Sequence, residues 1–193
     1  MTRRRKKIIL VQLSIFLLGF FLLYNTYFKK SIESVEIVKK ETGTDTNSNT
    51  NNFTDIEYSG FDLSGNRYLL QSKKADFKSE TPELVNMLGV TANFYLDDGT
   101  VLKVISDKAL YNNITLNMDF KENVKATYLT NILLSDQLIY LNSSGKLLAS
   151  GNVYGESIEK GEFFADNVEY NLANKSLDFS MFGNNQVNVR VKK

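Results

Sequence analysis

From Phe53 onward, apolar and polar residues alternate with period two through most of the chain. Val90, Ala92, Phe94 and Leu96 alternate with Thr91, Asn93, Tyr95 and Asp97. Leu102 and Val104 continue the pattern after "DDGT" (97–100), where Asp-Gly accepts the positive φ of a tight hairpin turn. Ile114, Leu116, Met118 and Phe120 alternate with Thr115, Asn117, Asp119 and Lys121. Leu177, Phe179 and Met181 alternate with Ser176, Asp178 and Ser180, and Val187, Val189 and Val191 with Asn188 and Arg190. Such alternation predicts strands with one wet face and one apolar face. Further turns are expected at "LSGN" (63–66), "YNN" (111–113), "NSSG" (142–145) and "NLANK" (171–175). No window of 53–193 carries an apolar stripe of helical period. The stretch "KSETPELVNML" (78–88), with Pro82 and Glu83 placed for a first turn, is the one candidate for a short helix or an irregular loop. The predicted class is all-β, with the strand domain starting near Phe53.

A longer period overlies the alternation. Asp107 precedes Tyr111, Asp136 precedes Tyr140 and Asp166 precedes Tyr170, at spacings of 29 and 30 residues. Asn123-Val124 and Asn152-Val153 follow the first two tyrosines by 12 or 13 residues. Upstream, Phe77 of "SKKADF" fills the tyrosine slot and Gly89-Val90 falls at the same distance, while the last copy, "GNNQVNV", comes several residues late. The chain therefore reads as about four units of two strands each, stacked because no unit buries its own apolar face. Repeated acids strung along a sheet do not converge on one pocket, so Asp-x-x-x-Tyr reads as structure rather than catalysis. In a regular strand, residues four apart share a face, which puts each Asp and its Tyr on the same side, the ring packing near a turn.

Composition removes whole classes of chemistry. The 193 residues include no cysteine and no histidine. Thiolate and imidazole metal sites, disulfides, Cys nucleophiles and His-based triads are excluded, and no metal or other cofactor is expected. Asp97 and Asp98 could serve as paired carboxylates of an anchored glycan-acting enzyme, but neighbours in a strand point to opposite faces, so the pair reads as turn chemistry.

Charge is distributed unevenly. Residues 1–30 hold seven of the 23 Lys and Arg and no acid, which leaves 16 bases against 22 acids in the rest of the chain. An acidic main body is a poor partner for nucleic acid. The bases flank "IILVQLSIFLLGFFLLYNTYF" (8–28), 21 residues without a charge and long enough to cross a hydrocarbon core of roughly 30 Å as a helix. Five bases before it and two after it predict a cytoplasmic N-terminus and a main domain outside. The alternative is a cleaved signal peptide, but the apolar run Ile8–Leu23 is long for one and "YNTYFKK" lacks an Ala-x-Ala-like site. After Val38, "ETGTDTNSNTNN" (41–52) has no apolar residue and is expected to be a flexible tether.

Taken together, the basic tail (1–7), the membrane helix (8–28), the polar tether (29–52) and the repeated units resemble the LptC family, bitopic inner-membrane components of the lipopolysaccharide transport (Lpt) bridge. The resemblance is carried by "GNRYLLQSKKADF" (65–77), "LKVISDKALYNNITLNMDFKENV" (102–124), "GKLLASGNVYG" (145–155) and "GEFFADNVEYNLANKSLDF" (161–179), with Asn123 departing from the glycine usual before the valine. It implies a periplasmic, OstA-like open β-jellyroll over 53–193 with no enzymatic activity. It also implies that the domain accepts lipopolysaccharide from an inner-membrane Lpt ABC transporter and passes the lipid A acyl chains along an apolar groove to a soluble, LptA-like periplasmic bridge protein. Phe94, Leu96, Ile114, Leu116, Met118, Phe120, Leu177, Phe179 and Met181 are the candidate groove residues; the same inward set would equally pack as the dry core of a membrane-anchored adaptor with no lipid cargo. Val187, Asn188, Val189, Arg190 and Val191 are the candidate edge strand for the bridge protein, with a strand buried between two neighbours as the alternative.

Overall fold

Among the described residues ten strands follow one another in chain order, each antiparallel to its predecessor through the first eight. They are β1 (Thr50–Phe61), β2 (Arg67–Lys78), β3 (Leu84–Tyr95), β4 (Val101–Asn112), β5 (Met118–Tyr128), β6 (Asn131–Leu141), β7 (Lys146–Ser157), β8 (Gly161–Asn171), β9 (Ser176–Ser180) and β10 (Asn188–Val191). They form one sheet in the order β1 to β8, and β9 and β10 both pair with β8. The structure, a computed structural model, describes Gln12 and residues 50–62, 65–182 and 186–191. The chain divides into two units, Met1–Ser34 and Val35–Lys193, and all ten strands belong to the second. The expected basic tail and membrane helix, and the tether up to residue 49, lie outside the described residues, apart from Gln12, which is helical. Among the described residues no helix is long and apolar enough to cross a membrane.

The repeat of Asp, Tyr and Gly/Asn-Val has a structural cause. Successive inward-facing residues are normally two apart, but the pleat reverses in mid-strand. The inward residues step by three from Ser72 to Ala75, Met87 to Val90, Ser106 to Ala109, Ser135 to Leu138 and Ala165 to Val168. On β5 and β7 the reversal is met by one extra residue relative to both neighbours, a β-bulge. The residue before each repeated valine lies in the left-handed region: Gly89 (φ 63°), Asn123 (φ 53°) and Asn152 (φ 48°). Glycine and asparagine are the residues that adopt this conformation at least cost, which explains why they alternate in that slot. The aspartates brace the same points. Asn123 donates to Asp107 Oδ2 at 2.6 Å and Asn152 to Asp136 Oδ2 at 2.8 Å, while the Phe182 backbone N–H donates to Asp166 Oδ2 at 2.6 Å.

The reversal corrects the expected placement of the motif. Asp107 and Asp136 are exposed, whereas Tyr111 and Tyr140 are fully buried, on the opposite face. Two other expectations are also corrected. Residues 78–88 form neither helix nor irregular loop: turns over 79–83 lead into β3, where Val85 and Met87 are buried. The turn is held by the Asn113 backbone N–H on Glu83 O (2.9 Å) and its side chain on Pro82 O (3.2 Å). Thr50–Asn52 belong to β1 rather than to the tether, because ladder pairing with Asp76–Lys78 needs no apolar side chain.

With the reversals of β2 to β8 aligned across the ladder, the sheet folds over on itself and its two halves face each other as two layers. Ring contacts between strands three apart record the closure. Tyr58 and Tyr111 lie 5.0 Å apart and Phe94 and Tyr140 4.7 Å, where strands three apart in a flat sheet are already ~14 Å from each other. Tyr68 and Tyr111 meet through their hydroxyls at 3.2 Å. These rings belong to one cluster of buried side chains that packs this part of the interior. Turns along one rim stack at the repeat spacing, with Asn142 N–H on Asn117 Oδ1 (3.0 Å) and Leu172 N–H on Gly145 O (2.9 Å).

Two measurements follow. Phe120 is 0% exposed, so Phe120→Ala should cost about 3–5 kcal/mol in denaturant unfolding. Burial raises the hydroxyl pKa of Tyr58, Tyr68, Tyr111 and Tyr140 above the ordinary 10.0. In the unfolded chain the same hydroxyls ionise near pH 10. Their contribution to stability is therefore complete below that pH and is lost progressively as pH rises above it. An alkaline titration should show these four tyrosines ionising only with unfolding.

Candidate functional site

Toward the C-terminal end of the fold the interior is no longer full. A cavity of about 480 Å³ lies between the inner faces of β4 to β10. Its floor is aliphatic: Leu133, Leu138, Leu147, Ala149 and Val168, most of them buried. Leu102, Ala126, Tyr128 and Tyr170 line one flank, and Ile132 and Phe163 another. At the open end, Leu177 (40% exposed) and Phe179 (40%) come from β9 and Val189 (59%) from β10. Polar groups are confined mainly to Asn131, Glu156, Ser157, Lys160, Glu162 and Lys175.

The opening arises from how the last strand is built. Asn167 pairs with Ser180 and Phe164 with Asn188, so three residues along β8 face eight along the edge. One edge strand is thus split into β9 in one layer and β10 in the other, which accounts for the late arrival of "GNNQVNV". Glycine shapes the wall at one point. A Cβ on Gly155 would come within 2.0 Å of the Phe163 ring, which lies flat over it and meets Phe179 edge-on at 4.6 Å. Any side chain at 155 would push that ring into the cavity.

The expected groove residues separate into groups. Leu177 and Phe179 line the cavity. Phe94, Leu96, Met118 and Phe120 are buried in the filled core instead, and Leu116 and Met181 pack partly against it. Ile114 is 75% exposed on a turn, a correction to its inward placement. Asn112 Oδ1 accepts the backbone N–H of Ile114 and of Thr115, both at 2.9 Å, which ends β4 and carries the alternation across a turn. Of the expected edge residues, Val189 reaches the cavity, and Asn188, Arg190 and Val191 are exposed on β10. Val187 precedes β10 and is half-buried. Alternation did not point to Ile132, Leu133 or Phe163. The signal available was consecutive apolar residues, "ILL" at 132–134 and "FF" at 163–164, in strands where both faces carry apolar side chains.

The charged rim is fixed at one place. Asp98 Oδ1 accepts Thr100 N–H at 2.9 Å and its hydroxyl at 2.5 Å, and Oδ2 accepts Lys175 Nζ at 2.6 Å. The Lys175 bond, followed by those from Thr100, holds the Asp98 carboxyl well below the usual carboxylate range, and Asp98 raises the Lys175 ammonium. Both groups stay charged at any ordinary pH. Among the described residues no cluster of three or more acidic side chains is placed to hold a metal ion.

No protein-family model matches the chain, and no curated protein matches it. Among solved structures it is similar to that of LptH, described as the LptA-homologous periplasmic component of the conserved lipopolysaccharide transport device from Pseudomonas aeruginosa. The TM-score is 0.40, at 9% sequence identity, over 82% of this chain and 95% of that chain.

The difference between lining and core is measurable. Phe179→Asp places a carboxylate at a half-open wall and should leave the unfolding midpoint within about 1 kcal/mol of wild type. Leu138→Asp, at 2% exposure on the floor, should cost several kcal/mol because its charge has no route to water.

Proposed function

We propose that the strand domain binds the acyl chains of lipopolysaccharide in this cavity and hands them on in the direction of β9 and β10, as a component of the LptC type. One observation carries the reading: an interior of packed, buried side chains opens at its C-terminal end into an apolar cavity, with Leu177, Phe179 and Val189 left uncovered at the mouth. Exposed apolar surface costs about 25 cal/mol per Å², which an acyl chain offsets at about 0.8 kcal/mol per buried methylene. The closed-core adaptor suits β1 to β3 but leaves the open end without a purpose.

On this reading the chain is a single-pass inner-membrane protein with a cytoplasmic N-terminus. The basic residues around the uncharged run 8–28 support that orientation. The Lpt ABC transporter delivers the lipid, and β10, whose outer edge has no strand partner among the described residues, receives the soluble bridge protein. No catalytic step is involved.

The test is photocrosslinking in cells that make lipopolysaccharide. A photoreactive residue at Leu177 or Phe179 should give lipid adducts, and one at exposed Ile114, away from the cavity, should give none. A folded protein with no adducts at Leu177, Phe179 and Val189 would falsify the reading in favour of the adaptor.

A further inference from the structure

The two layers of the folded sheet meet along a slit, where turns from one end of the strands face turns from the other. One ion pair crosses that slit beside the cavity. Lys175, in the turn between β8 and β9, reaches Asp98 Oδ2 at 2.6 Å and Asp97 Oδ1 at 3.5 Å, in the turn between β3 and β4. The other ion pairs among the described residues join side chains on one strand or on strands already paired: Lys108–Glu122, Lys121–Asp119, Lys146–Glu169 and Arg190–Glu162. Lys175–Asp98 instead joins elements with no ladder between them.

Each side is prepared for the contact. The two Thr100 bonds fix Asp98 Oδ1, and Tyr128 donates its hydroxyl to Oδ2 at 3.4 Å, which aims the carboxylate across the slit. Opposite, the turn is braced by Asn171 Oδ1 accepting Ala173 N–H at 3.0 Å and Asn174 Oδ1 accepting Ser176 N–H at 3.0 Å. Lys175 leads directly into β9, whose one strand partner among the described residues is β8. β9 carries Leu177 and Phe179, and Lys175 and Tyr128 line the same cavity. Moving this turn away from Asp98 therefore moves a wall of the cavity. An exposed ion pair adds little net stability and can break and re-form readily, as an entry point must.

We infer that Lys175–Asp98 is a clasp: closed, it holds β9 over the cavity, and released, it lets β9 and the turn before it peel from β8 and swing outward so that an apolar chain enters sideways through the slit. This rests on the reading of the cavity as an acyl-chain site.

Two experiments on the full-length protein test the clasp. Asp98→Asn keeps the acceptor for Thr100 and removes the charge; Lys175→Met removes the charge from the other side and leaves the Asp98 turn intact. Both should speed amide hydrogen exchange in Ser176–Ser180 about threefold or more, with β2 to β5 unchanged. The chain has no cysteine, so Asp98→Cys with Lys175→Cys can be joined by a bis-maleimide linker. The joined protein should be labelled by a diazirine-bearing palmitic acid at least about threefold more slowly than the same protein capped singly with N-ethylmaleimide. Unchanged exchange in both single variants, or equal labelling rates in joined and capped protein, overturns the clasp while the acyl-chain reading stands. No labelling of the wild type or any variant would defeat the acyl-chain reading and take the entry route with it.

Discussion

Reversal of the pleat in the middle of the strands is the constraint on which the rest of this structure depends. A regular strand of 12 residues would present one face throughout and stack into a flat, two-sided sheet. Here the chain crosses to the other parity at Ser72–Ala75, Ser106–Ala109, Ser135–Leu138 and Ala165–Val168. Both halves of a strand then direct apolar side chains into the same interior. Small residues stand at several of these turning points, and on the alternate strands β3, β5 and β7 Gly89, Asn123 and Asn152 take a left-handed backbone at the reversal. Asp107 and Asp136 fasten the bends to the next strand from outside, where their charges remain in water.

The filling of that interior changes along the fold. Away from the cavity, rings from opposite layers interlock, with Tyr58, Tyr68, Phe94, Tyr111 and Tyr140 in contact across the gap. Around the cavity the buried inward residues are Ala126, Leu138, Leu147, Ala149 and Val168, with no pair of rings among the described residues meeting across the layers at its floor. Tyr170 occupies the same repeat slot as Tyr111 and Tyr140 but is only half-buried, because beyond β8 the sheet offers no full strand to close over it. The cavity thus lies where the edge splits into β9 and β10, and no special motif is needed to form it.

That arrangement connects fold to function. An apolar volume between two layers of one folded sheet widens or narrows if the layers move, and it extends along the direction in which strands are added. A ligand with long hydrocarbon chains fits both properties. The charges lie on its rim, where Asp98 and Lys175 are held ionised by each other and by Thr100 rather than by burial.

Much of this was legible in the sequence. Period-two alternation located most strands, Asp-Gly and Asn-rich clusters located most turns, and the 29- and 30-residue spacing announced a stacked repeat. The aspartate, tyrosine and Gly/Asn-Val slots are also visible there, because each is a local requirement of backbone conformation or hydrogen bonding. Their faces were not legible, since a one-residue change of parity inverts every later position and leaves the alternating pattern unaltered. Whether an inward side chain meets another ring or empty space depends on a residue from the opposite layer. Phe120 and Phe179 therefore look alike in sequence, yet one is sealed in the core and the other stands at the mouth of the cavity. The pairing of Lys175 with Asp98, 77 residues apart, likewise exists only because the sheet folds over. The strands and their period follow from the local order of residues; the bends, and which apolar residues face each other, emerge only in the folded sheet, because they are set by contacts between strands and layers that no local pattern encodes.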